Sequence, residues 1–182
     1  MKFVHRTVSL VAHPDTPSRG VSAVQVRWLE TRDRRLVVRW LVHGASGLAV
    51  PAFAGKGRGE DLWQATCGEL FLSNAAGDGY RELNFSPSHR WAAYRFSGYR
   101  AGMADEDIPA PDVSAESGQH MFVLTALLDA AILAGSDRAG LSMVIEENDG
   151  TKSYWAIAHP PGKPDFHHAA CFALPLVASE AA

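Results

Sequence analysis

Three consecutive strand-like runs, joined by short turns, constrain the fold of this chain more than any other feature. They occupy residues 62–72, 80–87 and 91–96 and are rich in aromatic and aliphatic side chains. Runs of this length, separated by only a few residues, pair as antiparallel hairpins. The meander therefore predicts a β-sheet, and its mixture of aromatic and acidic groups indicates a ligand-binding surface.

The rest of the chain has the same organisation. Further strands are predicted at residues 4–11, 21–30, 36–43, 121–128, 141–146, 154–158 and 171–177. Residues 45–61 and 98–118 are predicted to be long loops, and Asp129 is predicted to cap one helical turn. Short strands without a helix of ordinary length predict an all-β antiparallel sandwich with at most one or two helical turns, forming one domain over residues 1–182.

Composition excludes several classes of protein. With 182 residues, 47% of them hydrophobic, the chain is long enough for one domain with its own core. A net charge of −3 gives no overall attraction to nucleic acid or to an anionic membrane. No apolar run reaches the ~20 residues of a membrane span, and no secretory signal is visible, so a cytoplasmic location is expected. Cys67 and Cys171 are expected to be buried thiols, because two cysteines make no disulfide framework.

Period-two alternation assigns the side chains of the meander to two faces, provided that Leu72 pairs with Tyr80 and Ser86 with Trp91. The predicted core face carries Cys67, Glu69, Phe71, Arg81, Leu83, Phe85, Ala92, Tyr94 and Phe96. The opposite face carries Thr66, Leu70, Leu72, Tyr80, Glu82, Asn84, Trp91 and Arg95.

Glu69 is an anomaly on the predicted core face. A buried carboxyl group needs a partner or a raised pKa, and Arg81 and the Tyr94 hydroxyl are the nearest candidates for a partner. Two interpretations stay open: an ion-paired acid near the edge of the sheet, and an acid that lines a pocket between the sheets.

The opposite face resembles a polar platform. Glu82 is predicted to pair with Arg95 across the strands, with Asn84 and Trp91 beside them. Proteins often hold sugars in this way, with an aromatic ring against the sugar and polar groups on its hydroxyls. A solvent-exposed face with ordinary ion pairs explains the same residues, so both interpretations stay open.

Motifs for catalysis are absent from the sequence. It contains no G-x-S-x-G, G-x-G-x-x-G or Walker A pattern, and neither cysteine lies in a catalytic motif. His159, His167 and His168 lie in a proline-rich loop, but their spacing matches no zinc signature. A rigid loop whose imidazoles bond to the backbone is the stronger interpretation, and metal binding is the weaker one.

Two long segments carry a family resemblance. The first begins W-Q-A-T-C-G-E-L-F at residues 63–71 and ends Y-R-A-G-M at residues 99–103. The second is V-I-E-E at residues 144–147, followed by S-Y-W-A-I-A-H-P-P-G-K-P-D-F-H at residues 153–167. Both resemble bacterial DOMON-like domain proteins, a group related to family 9 carbohydrate-binding modules. One departure is Gly68, where a bulky residue is expected, and it predicts loose packing or open space near Glu69.

The resemblance implies an immunoglobulin-like β-sandwich whose relatives bind sugars or haem and do not catalyse reactions. Some related domains are attached to enzymes, including cell-wall precursor reductases. In the sugar-binding relatives two aromatic side chains enclose the ligand, and the candidates here are Trp63 with Trp91 or Trp155.

The expected function is therefore a non-catalytic module that binds a small ligand, with a carbohydrate or glycan precursor as the first choice. The predicted ligand-binding residues are Trp63, Glu69, Glu82, Asn84, Trp91, Tyr94, Arg95, Trp155 and His159. No catalytic or metal-ligating residue and no cofactor is predicted. Two alternatives stay open: a haem- or divalent-metal-binding domain, and an interaction domain whose sheet surface docks on a partner enzyme or on a second copy.

Overall fold

A computed structural model describes residues 4–176 of the protein. The strands are β1 Val4–Ala12, β2 Ala23–Glu30, β3 Arg35–His43, β4 Gly57–Arg58, β5 Cys67–Ser73, β6 Tyr80–Phe85, β7 Arg90–Phe96, β8 Ala104–Asp105, β9 Asp112–Ser117, β10 Met121–Asp129, β11 Arg138–Glu146, β12 Lys152–Ala156 and β13 Leu174–Pro175. Four 3-10 turns lie at Ala45–Gly47, Leu62–Gln64, Ala130–Leu133 and Ala169–Cys171. No helix in residues 4–176 is long and apolar enough to cross a membrane.

The all-β prediction is confirmed, with local corrections. Asp129 caps its turn as predicted, since its carboxylate accepts a hydrogen bond from the Ala131 N–H at 2.9 Å. The number of helical turns is larger than predicted, because Gly44, Asp61 and His168 precede three further turns, the first two of them from the left-handed backbone region. The predicted loops also contain β4, β8 and β9, whose polar sequences give no apolar alternation. The predicted last strand is reduced to β13, and its final residue, 177, lies outside the described part of the chain.

The strands form one curled sheet in the order β4-β7-β6-β5-β11-β12-β1-β2-β3-β10-β9, with β8 beside β7 and β13 beside β11. Every pair is antiparallel except β4 with β7, so the sheet is mixed and not purely antiparallel as predicted. The sheet curls at β1, which pairs with β2 along most of its length and with β12 only through Val11 and Ala12. We call β9, β10, β3, β2 and β1 layer A, and we call the strands from β12 to β4 layer B.

The main core lies between the two layers and contains Trp28, Trp40, Phe85 and Phe122. Trp40 of layer A packs directly on Gly68 of layer B, where an added Cβ would lie 2.9 Å from the indole ring. The loose packing predicted at Gly68 is therefore wrong, because the indole fills the space that a side chain would need.

The predicted register of the meander is wrong by one residue in both hairpins. Tyr80 pairs with Ser73, and Trp91 pairs with Phe85. The first turn is extended by Asn74, whose side chain accepts a hydrogen bond from the Ala76 N–H at 3.0 Å. Strand β6 is consequently turned over relative to the predicted arrangement, so its side chains lie on the opposite faces of the sheet. A one-residue slip exchanges the two faces of a strand in this way.

The turned strand changes the composition of both faces. Leu83 and Phe85 join the main core, whereas Glu82 and Asn84 join Glu69 on the outer face of layer B. Residues 158–173 cover part of this outer face and form a second, mainly aromatic core with it. We call this the outer core, and its buried members are Phe71, Tyr80, Ala92, Tyr94, Phe96, Val144, Ala156, Phe166, Cys171 and Phe172.

Candidate functional site

Four of the predicted site residues meet on the outer face of layer B. Glu69 lies opposite Asn84, and Glu82 lies opposite Tyr94, across adjacent strands. None of the four is more than 6% exposed. We call this group, with Ser142 of β11, the acid cluster.

Hydrogen bonds satisfy the acid cluster only in part. The Asn84 amide donates to Glu82 Oε1 at 2.9 Å, and the Ser142 hydroxyl lies 3.5 Å from Glu69 Oε2. The Tyr94 hydroxyl donates to Glu60 at 3.5 Å. Asn84 Oδ1 is buried and has no hydrogen-bond partner within residues 4–176.

The electrostatics of the acid cluster favour neutral groups. Burial raises the pKa of Glu69 well above its usual range, and the charge of Glu82 raises it further. Burial also raises the pKa of Glu82, although the hydrogen bond from Asn84 opposes this shift. Burial and the nearby Glu60 raise the pKa of Tyr94 to about 12. A protonated carboxyl group can donate a hydrogen bond as well as accept one.

A chain of polar contacts connects the acid cluster to the surface. Tyr80 accepts a hydrogen bond from the Arg100 N–H at 3.1 Å, and its hydroxyl oxygen forms a hydrogen bond of 2.8 Å with His167 Nδ1. The other ring nitrogen of His167, Nε2, lies 3.7 Å from Glu82 Oε2. Burial lowers the pKa of His167 to about 4, and the charge of Arg100 also lowers it. At neutral pH His167 is thus an uncharged imidazole.

An open cleft of about 470 Å³ lies at the surface end of this chain. Its lining consists of Tyr99, Arg100, Lys163, Asp165, His168 and three prolines. The Tyr99 side chain is 58% exposed, and its hydroxyl bonds to the Asp165 carboxylate. Arg100 donates to the same carboxylate at 2.8 Å. The cleft therefore combines an accessible aromatic ring with charged groups held in place.

His159 lines another cleft, of about 520 Å³, between the end of β1 and the proline-rich loop. Its Nε2 lies 2.8 Å from the Val11 carbonyl oxygen, and its ring meets the ring of His13 edge to face, with centroids 4.9 Å apart. Burial lowers the pKa of His159. His159 thus bonds to the backbone, which agrees with the predicted rigid loop.

The remaining predicted residues lie away from the acid cluster. Trp91 and Trp155 are buried in the main core, so the structure does not offer them as exposed stacking surfaces. Arg95 pairs with Glu106 at 3.6 Å and not with Glu82, because the register slip places them on different faces. Trp63 is 51% exposed on the 3-10 turn that contacts β5, β6 and β7, at the border of the outer face.

The predicted partner of Glu69 is also wrong. Arg81 donates to the Ala134 carbonyl and to the Ser136 hydroxyl, each at 3.0 Å, and does not contact Glu69. Since β6 is turned over, the side chain of Arg81 lies on the face opposite to Glu69.

Sequence reasoning missed Tyr80, Arg100 and Asp165, and it considered His167 only as part of a rigid loop or, more weakly, as a metal ligand. The segments Y-R at residues 99–100 and D-F-H at residues 165–167 belong to the two motifs of the family resemblance. Nothing in their spacing, however, places them together. Within residues 4–176 no three His, Cys, Asp or Glu side chains are arranged to hold a metal ion.

No protein-family model matches the chain, and no curated protein matches it. Among solved structures, the chain is similar to the crystal structure of a proposed carbohydrate-binding protein from Bacteroides uniformis ATCC 8492. The TM-score is 0.65 at 17% sequence identity, over 92% of this chain and 84% of that chain. The chain therefore shares the β-rich fold of that protein.

Proposed function

We propose that this protein is a non-catalytic module that binds a small carbohydrate, built on an immunoglobulin-like β-sandwich of the DOMON-like type. The observation that carries the proposal is the exposed Tyr99 ring beside the charged groups of the 470 Å³ cleft. Sugar sites combine an aromatic surface for the apolar ring face with a few fixed polar groups for the hydroxyls. The fold shared with the Bacteroides protein supports the same class of ligand.

Each part of the cleft has a role in this proposal. Tyr99 stacks against the sugar ring, while Arg100 and His168 donate hydrogen bonds to its oxygens. The acid cluster lies behind the cleft and positions it, because Glu82 faces His167, and His167 bonds to the Tyr80 hydroxyl that receives the Arg100 N–H. Trp63 remains a second aromatic candidate at the border of the outer face.

The surroundings of the two thiols do not suit nucleophilic catalysis. Both cysteines are buried, as predicted. Burial raises the pKa of Cys67 well above its usual range and that of Cys171 to about 12, and the nearby Glu69 and Asp165 respectively add to these shifts. Thiols in such surroundings are not nucleophiles at neutral pH. Haem or metal binding and docking on a partner enzyme remain predictions that no contact in residues 4–176 favours.

Calorimetric titration with a panel of mono- and disaccharides tests the proposal. At least one sugar should bind, and Tyr99→Ala should weaken its binding about tenfold or more, equivalent to ~1.4 kcal/mol. Phe53→Ala is the matched control, because Phe53 is also an exposed aromatic but lies in the loop between β3 and β4. If the wild-type protein binds no sugar at concentrations up to ~10 mM, where ΔG of binding is only about −3 kcal/mol, the proposal is wrong.

A further inference from the structure

We propose that the preferred ligand of the Tyr99 cleft is an acidic sugar, a pyranose that carries a carboxylate group, such as a uronic acid. This inference rests on the proposed carbohydrate binding and adds the charge of the ligand to it. Its basis is the balance of charges and hydrogen-bond donors in the cleft.

Protein groups occupy most of the acceptor capacity of Asp165, the carboxylate that lines the cleft. Asp165 Oδ1 accepts from Arg100 at 2.8 Å and from the His167 N–H at 3.2 Å, while Oδ2 accepts from the Tyr99 hydroxyl. Burial opposes ionisation of Asp165, but the hydrogen bonds from Tyr99 and Arg100 outweigh it and lower the pKa. Asp165 is therefore ionised at neutral pH and has little capacity left to accept from a ligand.

Several donors in the cleft have no acceptor within residues 4–176. Arg100 donates to Asp165 through Nη2 and also lies against the Tyr99 hydroxyl, so only part of its five N–H donors is used. Lys163 is exposed and makes no ion pair with the described residues. His168 Nδ1 accepts from the Ala170 N–H at 3.1 Å, so the neutral ring carries its proton on Nε2. The cleft thus presents hydrogen-bond donors to a ligand, and its charged side chains are two cations, Arg100 and Lys163, and one anion, Asp165.

A carboxylate complements this arrangement. It accepts hydrogen bonds only, and the N–H groups of Arg100 that Asp165 leaves free can donate charge-assisted hydrogen bonds to it. The Arg100 side chain is already positioned by Asp165, and its backbone is fixed in the left-handed region, at φ 51°, by the bond to Tyr80. A donor that is held before binding loses less entropy when the ligand arrives.

The apolar part of the lining favours a sugar over a simple anion. The exposed Tyr99 ring and the rings of Pro160, Pro161 and Pro164 provide a surface for the C–H face of a pyranose. The volume of about 470 Å³ lies in the range of small-molecule sites. A free inorganic anion would use the charged groups alone.

Matched pairs of sugars test the inference by calorimetry at low salt and pH 7.5. Glucuronate should bind about tenfold tighter than glucose, galacturonate about tenfold tighter than galactose, and acetate much more weakly than either uronate. Equal affinities within each pair would overturn the preference for acidic sugars and leave carbohydrate binding intact. Acetate that binds as tightly as the uronates would show an anion site without sugar recognition. If no member of either pair binds, carbohydrate binding at this cleft fails as well.

Lys163→Met removes a positive charge from the cleft without breaking an ion pair, because this exposed lysine has no partner in the described residues. We expect it to weaken uronate binding about fivefold and neutral-sugar binding by less, so that the ratio of affinities within each pair falls. Lys56→Met is the control, since Lys56 pairs with Asp112 outside the cleft. The proposal is wrong if Lys163→Met leaves the ratio of uronate affinity to neutral-sugar affinity at its wild-type value. It is also wrong if ~0.5 M salt does not reduce that ratio.

Discussion

Glu69 and Glu82 place two carboxyl groups where the protein has few donors for them. Each must either stay protonated or carry a buried charge, and both states cost free energy relative to water at neutral pH. Their raised pKa values make the free energy of unfolding fall as pH rises, which is opposite to the effect of a carboxylate whose pKa is lowered in the folded state.

Glu69→Gln should stabilise the protein at alkaline pH. The folded pKa of Glu69 is raised, so its favourable contribution is complete at acid pH and is lost as pH rises through the folded pKa. Glutamine resembles the neutral acid and does not titrate. We expect the variant and the wild type to have equal unfolding free energies near pH 4.5. At pH 8 the variant should be more stable than the wild type by ~1 kcal/mol or more, measured by urea denaturation.

Glu116→Gln serves as the control for that experiment, because Glu116 is exposed on the edge strand β9. Its effect on stability should be small at both pH values. A Glu69→Gln variant whose stability relative to wild type is the same at pH 4.5 and pH 8 would show that Glu69 ionises normally.

His167 should give the opposite dependence. Its folded pKa of about 4 lies below the unfolded value of 6.5, so the unfolded chain takes up the proton first as pH falls. The stabilisation is complete above pH 6.5 and is lost as pH falls toward 4. These values predict that the free energy of unfolding falls by ~2 kcal/mol between neutral pH and pH 5.

His167→Phe isolates this contribution, since phenylalanine suits the aromatic outer core and cannot be protonated. Relative to wild type, the variant should gain ~2 kcal/mol in unfolding free energy between pH 7.5 and pH 5. His120→Gln, at an exposed histidine, should show no such gain. Parallel stability curves for wild type and His167→Phe would rule out a depressed pKa at His167.

The sequence identified Glu69 as an anomalous residue but not its surroundings. A carboxylate among aliphatic and aromatic residues is visible in any strand pattern. Its neighbours depend on register, and the Asx turn at Asn74 shifted that register by one residue. The contact between Tyr80 and His167 joins residues far apart in the chain, so no local pattern could predict it.

At the scale of elements, strands with apolar alternation were predictable and polar ones were not. Strands β2, β3 and β10 occur within two residues of their predicted limits, because each buries one face in the main core. Strand β9 was missed, since an edge strand with Asp112 and Glu116 on it has little apolar pattern. Charged residues on such an edge also discourage pairing with another chain.

Gly68 of layer B lies against Trp40 of layer A, and Gly68→Ala tests how closely the two layers pack at this point. The added Cβ would lie 2.9 Å from Trp40 and 3.0 Å from Leu124, so we expect a loss of about 1–3 kcal/mol in unfolding free energy. Trp40→Phe should relieve part of the clash, giving a coupling energy of ~0.5 kcal/mol or more in a double-mutant cycle.

Gly77→Ala is the matched control, because nothing lies within 4 Å of the position that its Cβ would take. That substitution should change stability by no more than ~0.5 kcal/mol. If Gly68→Ala proves equally mild, Trp40 does not fill the space above Gly68 as described.

At the scale of the whole molecule, the protein has two cores of unequal size on the two faces of layer B. The main core draws on both layers, whereas the outer core depends on the segment 158–173, which contains little regular structure. Segments with few backbone hydrogen bonds of their own open at lower free energy than central strands. The outer core should therefore open before the molecule unfolds.

The two buried thiols report on these regions separately. Cys171 lies in the covering segment with its Sγ 3.2 Å from the Asp165 carbonyl oxygen, and Cys67 lies in the central strand β5. In Cys67→Ala, labelling of Cys171 at low denaturant should give an opening free energy at least ~1 kcal/mol below that of global unfolding. In Cys171→Ala, labelling of Cys67 should follow global unfolding, measured by tryptophan fluorescence of the same variant. Equal opening free energies at both thiols would contradict this and mean that the covering segment and the sheet unfold as one unit. In that case a ligand in the Tyr99 cleft would stabilise the whole molecule and not only its outer core.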